Sequence, residues 1–298
     1  MTASRKDVVC IGSVLWDIIG RTASHMRVGS DVPGRITRLP GGVAMHIAMT
    51  LARFGMRPIL LSAVGRDAAG EELIGECQRR SMVTDHLYRS DDLPTDIYMA
   101  IEGANGLIAA IADAHSLEKA GDKILRALSD GRLGSPEAPY SGIIALDGNL
   151  TEALLSQISE SPLFGAADLR VAPASPGKAE RLTALLGHPS ATLYVNLEEA
   201  ELICHTDFDD ALGAAKALVA RGAARALVTN GAKDAGLTTA DGCLTARPPE
   251  VLVTRITGAG DTFMAAHIAA EAAGESGEIA LRMALRAAAD YVSGETPL

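Results

Sequence analysis

Apolar positions along the 298-residue chain follow two patterns that take turns. Short continuous apolar runs, of which Val8-Val9-Cys10-Ile11-Gly12-Ser13-Val14 is the first, are too short for helices and read as strands buried on both faces. Between them, apolar residues recur at helical spacing. The stretch Val43 to Phe54 carries Val43, Ile47, Met49, Leu51 and Phe54, opens after Gly41-Gly42 and stops at Gly55. Further strands are expected at Pro58 to Val64, Gly142 to Leu146, Asp168 to Ala172, Thr192 to Val195 and Ala226 to Thr229. Helices are expected at Ala68 to Arg80, Thr151 to Ser159, Pro176 to Leu186, Leu197 to Cys204, Asp209 to Arg221 and Glu278 to Ser293, the last packing through Leu281, Leu285 and Tyr291. Strands that alternate with helices in this way predict an α/β fold with a doubly wound, mostly parallel sheet and helices on both faces. The ligand crevice of such a sheet lies at the carboxyl ends of its strands.

Two segments break the rhythm. Residues 18–40 are rich in Gly and Pro, with short β-like pieces at Ile18 to Arg21 and Arg35 to Leu39. Thr95 to Glu102 and Leu107 to Ala112 flank Gly103-Ala104-Asn105-Gly106, whose Asn-Gly pair signals a hairpin. Paired together, the two excursions would make a small β-sheet lid of residues 18–40 and 95–112 over a body of residues 1–17, 41–94 and 113–298, excluding water from the site. Asp234 to Thr239 and Cys243 to Arg247 flank a second hairpin signal, Asp241-Gly242, which Val251 to Thr254 is expected to extend, and residues 130–140 read as an exposed loop.

Composition narrows the function. A chain that is 48% hydrophobic and 21% charged affords an ordinary core. Its formal net charge of −10 argues against nonspecific nucleic-acid binding, so an anionic ligand must be held by a local site. Cys10, Cys77, Cys204 and Cys243 are scattered without a C-x-x-C pair, which fits free thiols in a reducing compartment. Met1 to Asp7 is polar, and no apolar run approaches the roughly 18 residues of a membrane helix, so a cytoplasmic protein is expected.

The candidate chemistry gathers at Thr257-Gly258-Ala259-Gly260-Asp261-Thr262-Phe263, between the apolar run Val251 to Thr254 and a helix expected over Thr262 to Ala273 that Gly274 stops. Small residues at a helix start leave backbone N–H groups free, and the dipole adds attraction for negative charge, which makes an anion site. Asp261, in the first turn beside that site, is placed to take a proton from an alcohol attacking a phosphoryl group. A first-turn acid that only complements the dipole fits the same residues. Polar residues also collect at the other strand ends: Asp17, Asp147 with Asn149, Ser175 with Lys178, Asn196 with Glu199, and Asn230 with Gly231. Asp17 can accept two hydrogen bonds from a vicinal diol. Asn196 and Glu199, three apart at a helix start, fit a hydrated Mg²⁺ and fit a capping box equally well. No G-x-x-x-x-G-K-[ST] sequence occurs, which excludes a P-loop enzyme.

Three motifs in order resemble the ribokinase-like (PfkB) carbohydrate kinases over essentially the whole chain. Gly41-Gly42-Val43-Ala44 with Leu51-Ala52-Arg53-Phe54-Gly55 and Val64-Gly65-Arg66-Asp67 resembles the family's N-terminal signature, Asn196 with Glu199 its N-x-x-E, and Thr257 to Asp261 its C-terminal signature. Gly41 to Ile47, Asp113 to Glu118, Asp147 to Thr151 and Pro173 to Ala179 resemble the pseudouridine kinases of that family. The resemblance implies ATP-dependent phosphorylation of the ribose 5′-hydroxyl of pseudouridine, with Asp261 as base and Gly258, Ala259 and Gly260 as anion hole. It further implies Asp17, Gly41, Gly42 and His46 around the sugar, and Thr95, Asp113, Asn149 and Lys178 as further substrate contacts. On the nucleotide side it implies Thr257, Asn230 and Gly231 along ATP and Mg²⁺ organised by Asn196 and Glu199. A monovalent cation such as K⁺ and a homodimer paired through the lids are family features. The chain departs from the family at His46, where Asn is usual, and at Ala172, where an acid is frequent, which opens the acceptor to another nucleoside or sugar such as ribose, fructose or inosine. A catalytically idle homologue that only binds such a ligand is the alternative outside enzymes.

Overall fold

The computed structural model describes residues 5–27 and 29–295. The polar start expected at Met1 to Asp7 therefore lies outside the described residues for Met1 to Ser4, as does Val28 of the expected lid. The chain opens with β1 (Asp7–Ile11), β2 (Leu15–Arg21), β3 (Arg35–Gly41), α1 (Val43–Arg53), β4 (Arg57–Leu61), β5 (Ala63–Gly65) and α2 (Ala68–Arg79). It continues with β6 (Tyr88–Ser90), β7 (Ile97–Gly103), β8 (Gly106–Asp113), α3 (His115–Ala120), β9 (Ile143–Asp147), α4 (Glu152–Glu160) and β10 (Asp168–Ala172). The last part holds β11 (Thr192–Asn196), α5 (Leu197–Cys204), α6 (Ala211–Ala220), β12 (Arg225–Thr229), β13 (Ala235–Thr239), β14 (Gly242–Ala246), α7 (Ala259–Ala272) and α8 (Gly277–Ser293).

One sheet of eight strands, in the order β14-β13-β12-β11-β10-β9-β1-β4, forms the body. It is parallel from β4 to β12 and turns antiparallel only at the β13–β14 hairpin. The period-2 geometry of a strand sends successive side chains to opposite faces. Val9 and Ile11 accordingly enter one core with Leu146, Leu155 and Leu193, while Val8 and Cys10 enter the other with Met45, Leu51, Phe263 and Leu281. Burial on both faces explains why these strands read as unbroken apolar runs. Apolar burial of this kind contributes roughly 25 cal/mol per Å² removed from water.

A second sheet, β3-β2-β7-β8, is built from the two excursions: β2 pairs antiparallel with β3 and parallel with β7, and β7 pairs antiparallel with β8. The Asn105-Gly106 turn closes the β7–β8 hairpin, with Gly103 opposite Gly106. The sheet begins at Leu15 and runs to Gly41, so Asp17 lies inside β2 and not at the end of a body strand, as its position after β1 had suggested. One side of the sheet faces outward with Ile36, Met99 and Ile111 exposed.

Three expectations change. Val251 to Thr254 forms no strand, because its side chains have no sheet to enter: β14 ends at Ala246, and Leu252 stands 82% exposed. Pro176–Leu185 winds as a 3₁₀ helix instead of an α-helix. Pro58 to Val64 divides into β4, in the large sheet, and β5, which pairs with β6.

Candidate active site

Asp261 sits in the first turn of α7, whose N-cap is Gly258 in the left-handed region (φ 88°). A side chain at 258 would bring its Cβ within 2.6 Å of the Tyr291 hydroxyl, so only glycine closes the turn here. The Tyr291 hydroxyl donates to the Thr257 carbonyl at 2.9 Å and ties the mouth to α8. Among the described residues, the amides of Gly258, Gly260 and Asp261 have no backbone acceptor, whereas the Ala259 amide donates to the Ile256 carbonyl at 3.0 Å. The expected Gly258 to Gly260 hole is corrected accordingly: Ala259 is spent on its own turn, and the amide of Asp261 takes its place among the free donors.

Further along α7 the helix is anchored under the sheet. Arg170 Nη1 donates to Glu271 Oε2 at 2.5 Å, Arg225 Nη2 to Glu271 Oε1 at 2.6 Å, and Tyr194 Oη lies 2.9 Å from His267 Nδ1. Burial holds His267 down at about 4 and so neutral. These contacts fix the rotation of α7 against β10, β11 and β12, and through it the direction in which Asp261 points.

The second wall comes from α1 and the small sheet. Gly41 ends β3 directly against Asp17, since a Cβ at 41 would fall 2.1 Å from the Asp17 Cγ. His46, in the first turn of α1, bridges the two carboxylates: Nε2 is 3.6 Å from Asp17 Oδ2 and Nδ1 is 3.3 Å from Asp261 Oδ2. All three side chains are largely buried, with 15%, 25% and 12% exposure for Asp17, His46 and Asp261. Burial alone would lower the His46 pKa, but the hydrogen bonds and charges of Asp17 and Asp261 overcome it and raise the imidazole to about 10. Asp17, His46, Gly258 and Tyr291 line one cavity of about 440 Å³.

A buried polar chain supports the start of α1. Asp147, fully buried at the end of β9, accepts from the Ser13 amide at 2.8 Å and from its hydroxyl, and the Ser13 Oγ accepts from the Val43 amide at 2.9 Å. Asn149 Nδ2 donates to Ser13 Oγ at 3.1 Å, and Lys178 Nζ donates to Asn149 Oδ1 at 2.5 Å. Burial raises the Asp147 carboxyl and lowers the Lys178 ammonium. Ser13 was not singled out in the sequence; its place just after a buried strand was the only available signal.

Other expected site residues lie elsewhere or are already engaged. Thr95 donates from its hydroxyl to Asp67 Oδ1 at 2.6 Å and from its amide to Asp67 Oδ2 at 2.8 Å, which locks it to the N-cap of α2. Asp113, at the outer end of β8, is 57% exposed and pairs with His115 Nδ1 at 2.8 Å. Neither lines the cavity of Asp17 and His46. Asn196 and Glu199 form a complete capping box on α5: the Asn196 side chain accepts from the Glu199 amide at 2.9 Å, and Glu199 Oε2 accepts from the Asn196 amide at 2.8 Å. Burial pushes Glu199 up to about 7, and the charge of Asp261 adds to that rise. The other Glu199 oxygen carries no hydrogen bond within the capping box, which fits contact with a hydrated Mg²⁺. Among the described residues no group of three or more His, Cys, Asp or Glu side chains forms a metal cage. Asn230 and Gly231 follow β12 at the same sheet end as Asn196.

The site thus sets a helix-mouth acid, Asp261, across the His46 imidazole from a second carboxylate, Asp17. The sequence profile of the "pfkB family carbohydrate kinase" matches residues 5–295, and the chain belongs to that family. It is 30% identical over 65% of its length to the "Uncharacterized sugar kinase YeiI" of Escherichia coli (strain K12), and 33% identical over 36% of its length to the "Pseudouridine kinase" of the same organism. These matches span 52% and 34% of the two relatives, so the chain matches about half of one and a third of the other. In structure it is similar to an Arabidopsis thaliana ribokinase complexed with ribose and ATP, with a TM-score of 0.77, 21% identity, and coverage of 99% of this chain and 94% of that one. Among the described residues no helix is long and apolar enough to cross a membrane.

Proposed function

We propose that the protein transfers the γ-phosphoryl group of ATP to the 5′-hydroxyl of a ribosyl nucleoside, with pseudouridine as the acceptor. The observation that carries this reading is the row Asp17, His46, Asp261 beside the free amides of the α7 mouth. In the reaction, Asp261 accepts the proton of the attacking hydroxyl while the Gly258, Gly260 and Asp261 amides hold the charge that develops on the moving phosphoryl group. Asp17 orients the ribose diol, and His46 presents a charged donor to the sugar or to Asp261. Mg²⁺, when bound, neutralises phosphate charge, and Asn196 and Glu199 are the residues that would hold its water shell. Asn230, Gly231 and Thr257 run along the nucleotide. A dependence on K⁺ and a cytoplasmic setting belong to the same reading.

The pseudouridine assignment is supported by the short match to a pseudouridine kinase. A second reading, another nucleoside or a free sugar, is favoured by His46, which replaces a neutral amide with a cation at the sugar. The test is a panel of pseudouridine, inosine, guanosine, ribose and fructose with ATP and Mg²⁺, followed by phosphate transfer with and without K⁺. Pseudouridine should give the highest kcat/KM; ribose or inosine ahead of it transfers the assignment to the second reading.

We further propose that the outward side of the small sheet pairs with a second copy, covering Ile36, Met99 and Ile111, which are 77%, 45% and 69% exposed. Ile111→Lys should halve the mass seen by light scattering if this face is the interface, and an unchanged mass rejects it.

A further inference from the structure

Asp147, Asn149 and Lys178 do not line the cavity of Asp17 and His46. They reach it through α1. Gly42, the N-cap of α1, offers no side chain to the free amides of the first turn. Ser13 caps them in its place from just beyond β1: its hydroxyl accepts from the Val43 amide at 2.9 Å and its carbonyl from the Met45 amide at 3.2 Å. The fit is close, since a Cβ at 42 would fall 2.4 Å from the Ser13 carbonyl oxygen. His46 follows directly, its amide donating to the Gly42 carbonyl at 2.9 Å. A shift of Ser13 therefore moves the turn that carries His46.

The Ser13 hydroxyl has one hydrogen and two lone pairs, and all are in use. The hydrogen goes to Asp147 Oδ2, and the lone pairs take the Val43 amide and, at 3.1 Å, Asn149 Nδ2. Asn149 Nδ2 also lies 3.3 Å from Asp147 Oδ2. This arrangement holds only while the Asn149 amide turns its NH₂ inward. Turned over, its carbonyl oxygen would face a buried carboxylate and a hydroxyl with no hydrogen left to give. Lys178, in the 3₁₀ helix Pro176–Leu185, decides between the two: its Nζ is a donor only and lies 2.5 Å from Asn149 Oδ1, where it could not receive an NH₂. Anchoring the backbone does not require Lys178, because Arg181 Nη1 already donates to the Asn149 and Leu150 carbonyls at 3.1 Å each.

We propose that Lys178 is a positioning residue for the acceptor: it fixes the Asn149 amide, and through Ser13 the first turn of α1, and so sets His46 between Asp17 and Asp261 without touching the acceptor. This differs from the direct substrate contact that the resemblance to pseudouridine kinases implies for Lys178. The inference rests on the proposed function only in taking His46 as an acceptor group.

The test measures phosphate transfer to the best acceptor of the panel in the parent, Lys178→Met, Lys178→Arg, Asn149→Asp, Asn149→Ala and the double variant of Lys178→Met with Asn149→Ala. Beside it, NMR without ligands follows the pH titration of the His46 imidazole. In Lys178→Met, kcat/KM for the acceptor should fall about tenfold, the loss of a charged hydrogen bond, with the KM for ATP unchanged and partial recovery in Lys178→Arg. Asn149→Asp keeps an acceptor for Lys178 but offers no N–H to Ser13, so it should lose as much. The losses of Lys178→Met and Asn149→Ala should not add in the double variant, because both act through one amide. The His46 midpoint should move down in Lys178→Met as the imidazole slips from Asp17 and Asp261, whereas removal of a positive charge alone would move it up. Losses that add, a His46 midpoint that stays or rises, or an Asn149→Asp variant that works like the parent overturns the proposal. Should Lys178→Met fail to fold, the Asn149→Asp comparison decides alone. If no acceptor is phosphorylated while the His46 midpoint still falls in Lys178→Met and returns in Lys178→Arg, the kinase reading fails and the positioning role stands.

Discussion

The Nδ1 atom of His46 lies 3.3 Å from Oδ2 of Asp261, so the proposed base meets an imidazole from α1 before it meets any acceptor. An acceptor hydroxyl that approaches Asp261 must share or displace that contact. His46 thereby couples the sugar end of the cavity to the phosphoryl end.

Replacing the acid tests the chemistry directly. Asp261→Asn keeps the shape of the first turn of α7 but removes the proton acceptor, so kcat should drop by about 10²- to 10⁴-fold with the acceptor Kd little changed. Single-turnover kinetics beside calorimetry separates the two quantities. A variant that turns over like the parent would remove Asp261 from its role.

The bridge should also show in stability against pH. The His46 pKa is raised to about 10, above its ordinary value, so its charged form contributes stability that is fully present below about pH 6.5 and is lost as pH rises through about 10. His46→Asn lacks this contribution. Denaturant titrations at pH 6, 8 and 10 should therefore find the advantage of the parent shrinking toward pH 10. A constant difference across that range contradicts a charged bridge.

Glu199 is expected to behave in the opposite sense from an ion-paired carboxylate. Burial pushes it up to about 7, so the folded protein binds a proton that the unfolded chain has released, and stability falls as pH rises from about 4.5 to about 7. Glu199→Gln keeps a capping-box partner and should flatten that fall, whereas Glu199→Ala should cost about 1 kcal/mol of cap at all pH values. Chemical denaturation at pH 5 and 7.5 distinguishes the two variants.

The mouth itself is tested by Gly258→Ala. The new methyl meets the Tyr291 hydroxyl and is forced into positive φ, which should destabilise the protein by about 1 kcal/mol or more and raise the KM for ATP. Adding Tyr291→Phe relieves the clash but not the φ strain, so the double variant should recover part of the loss. Strict additivity of the two would show that the predicted contact is absent.

How much of this was legible beforehand follows from the range over which each force acts. The parallel body was readable because strands buried on both faces must be continuously apolar, and α1, which packs Met45, Ile47 and Leu51 into the core, carries helical spacing that no strand can satisfy. The α7 mouth was readable because Gly258 and Asp261 act through backbone geometry within one turn. The strand assigned to Val251 to Thr254 failed because β propensity is a fit to a pleated neighbour, and none stands beside those residues. Thr95 was expected to face a ligand because only the chain folding back brings it to Asp67.

By itself, then, the sequence determined the layered architecture, the hairpin at Asn105-Gly106 and the position of the Gly258 to Asp261 turn at the start of a helix, since these depend on periodicity and on contacts within a few residues. The tertiary structure alone decided that Asp17 belongs to the small sheet, that His46 spans it to Asp261, and that Lys178 reaches the start of α1 through Asn149 and Ser13. Those relationships join side chains far apart in the chain, and they are set by how helices and sheets pack, which no local pattern records.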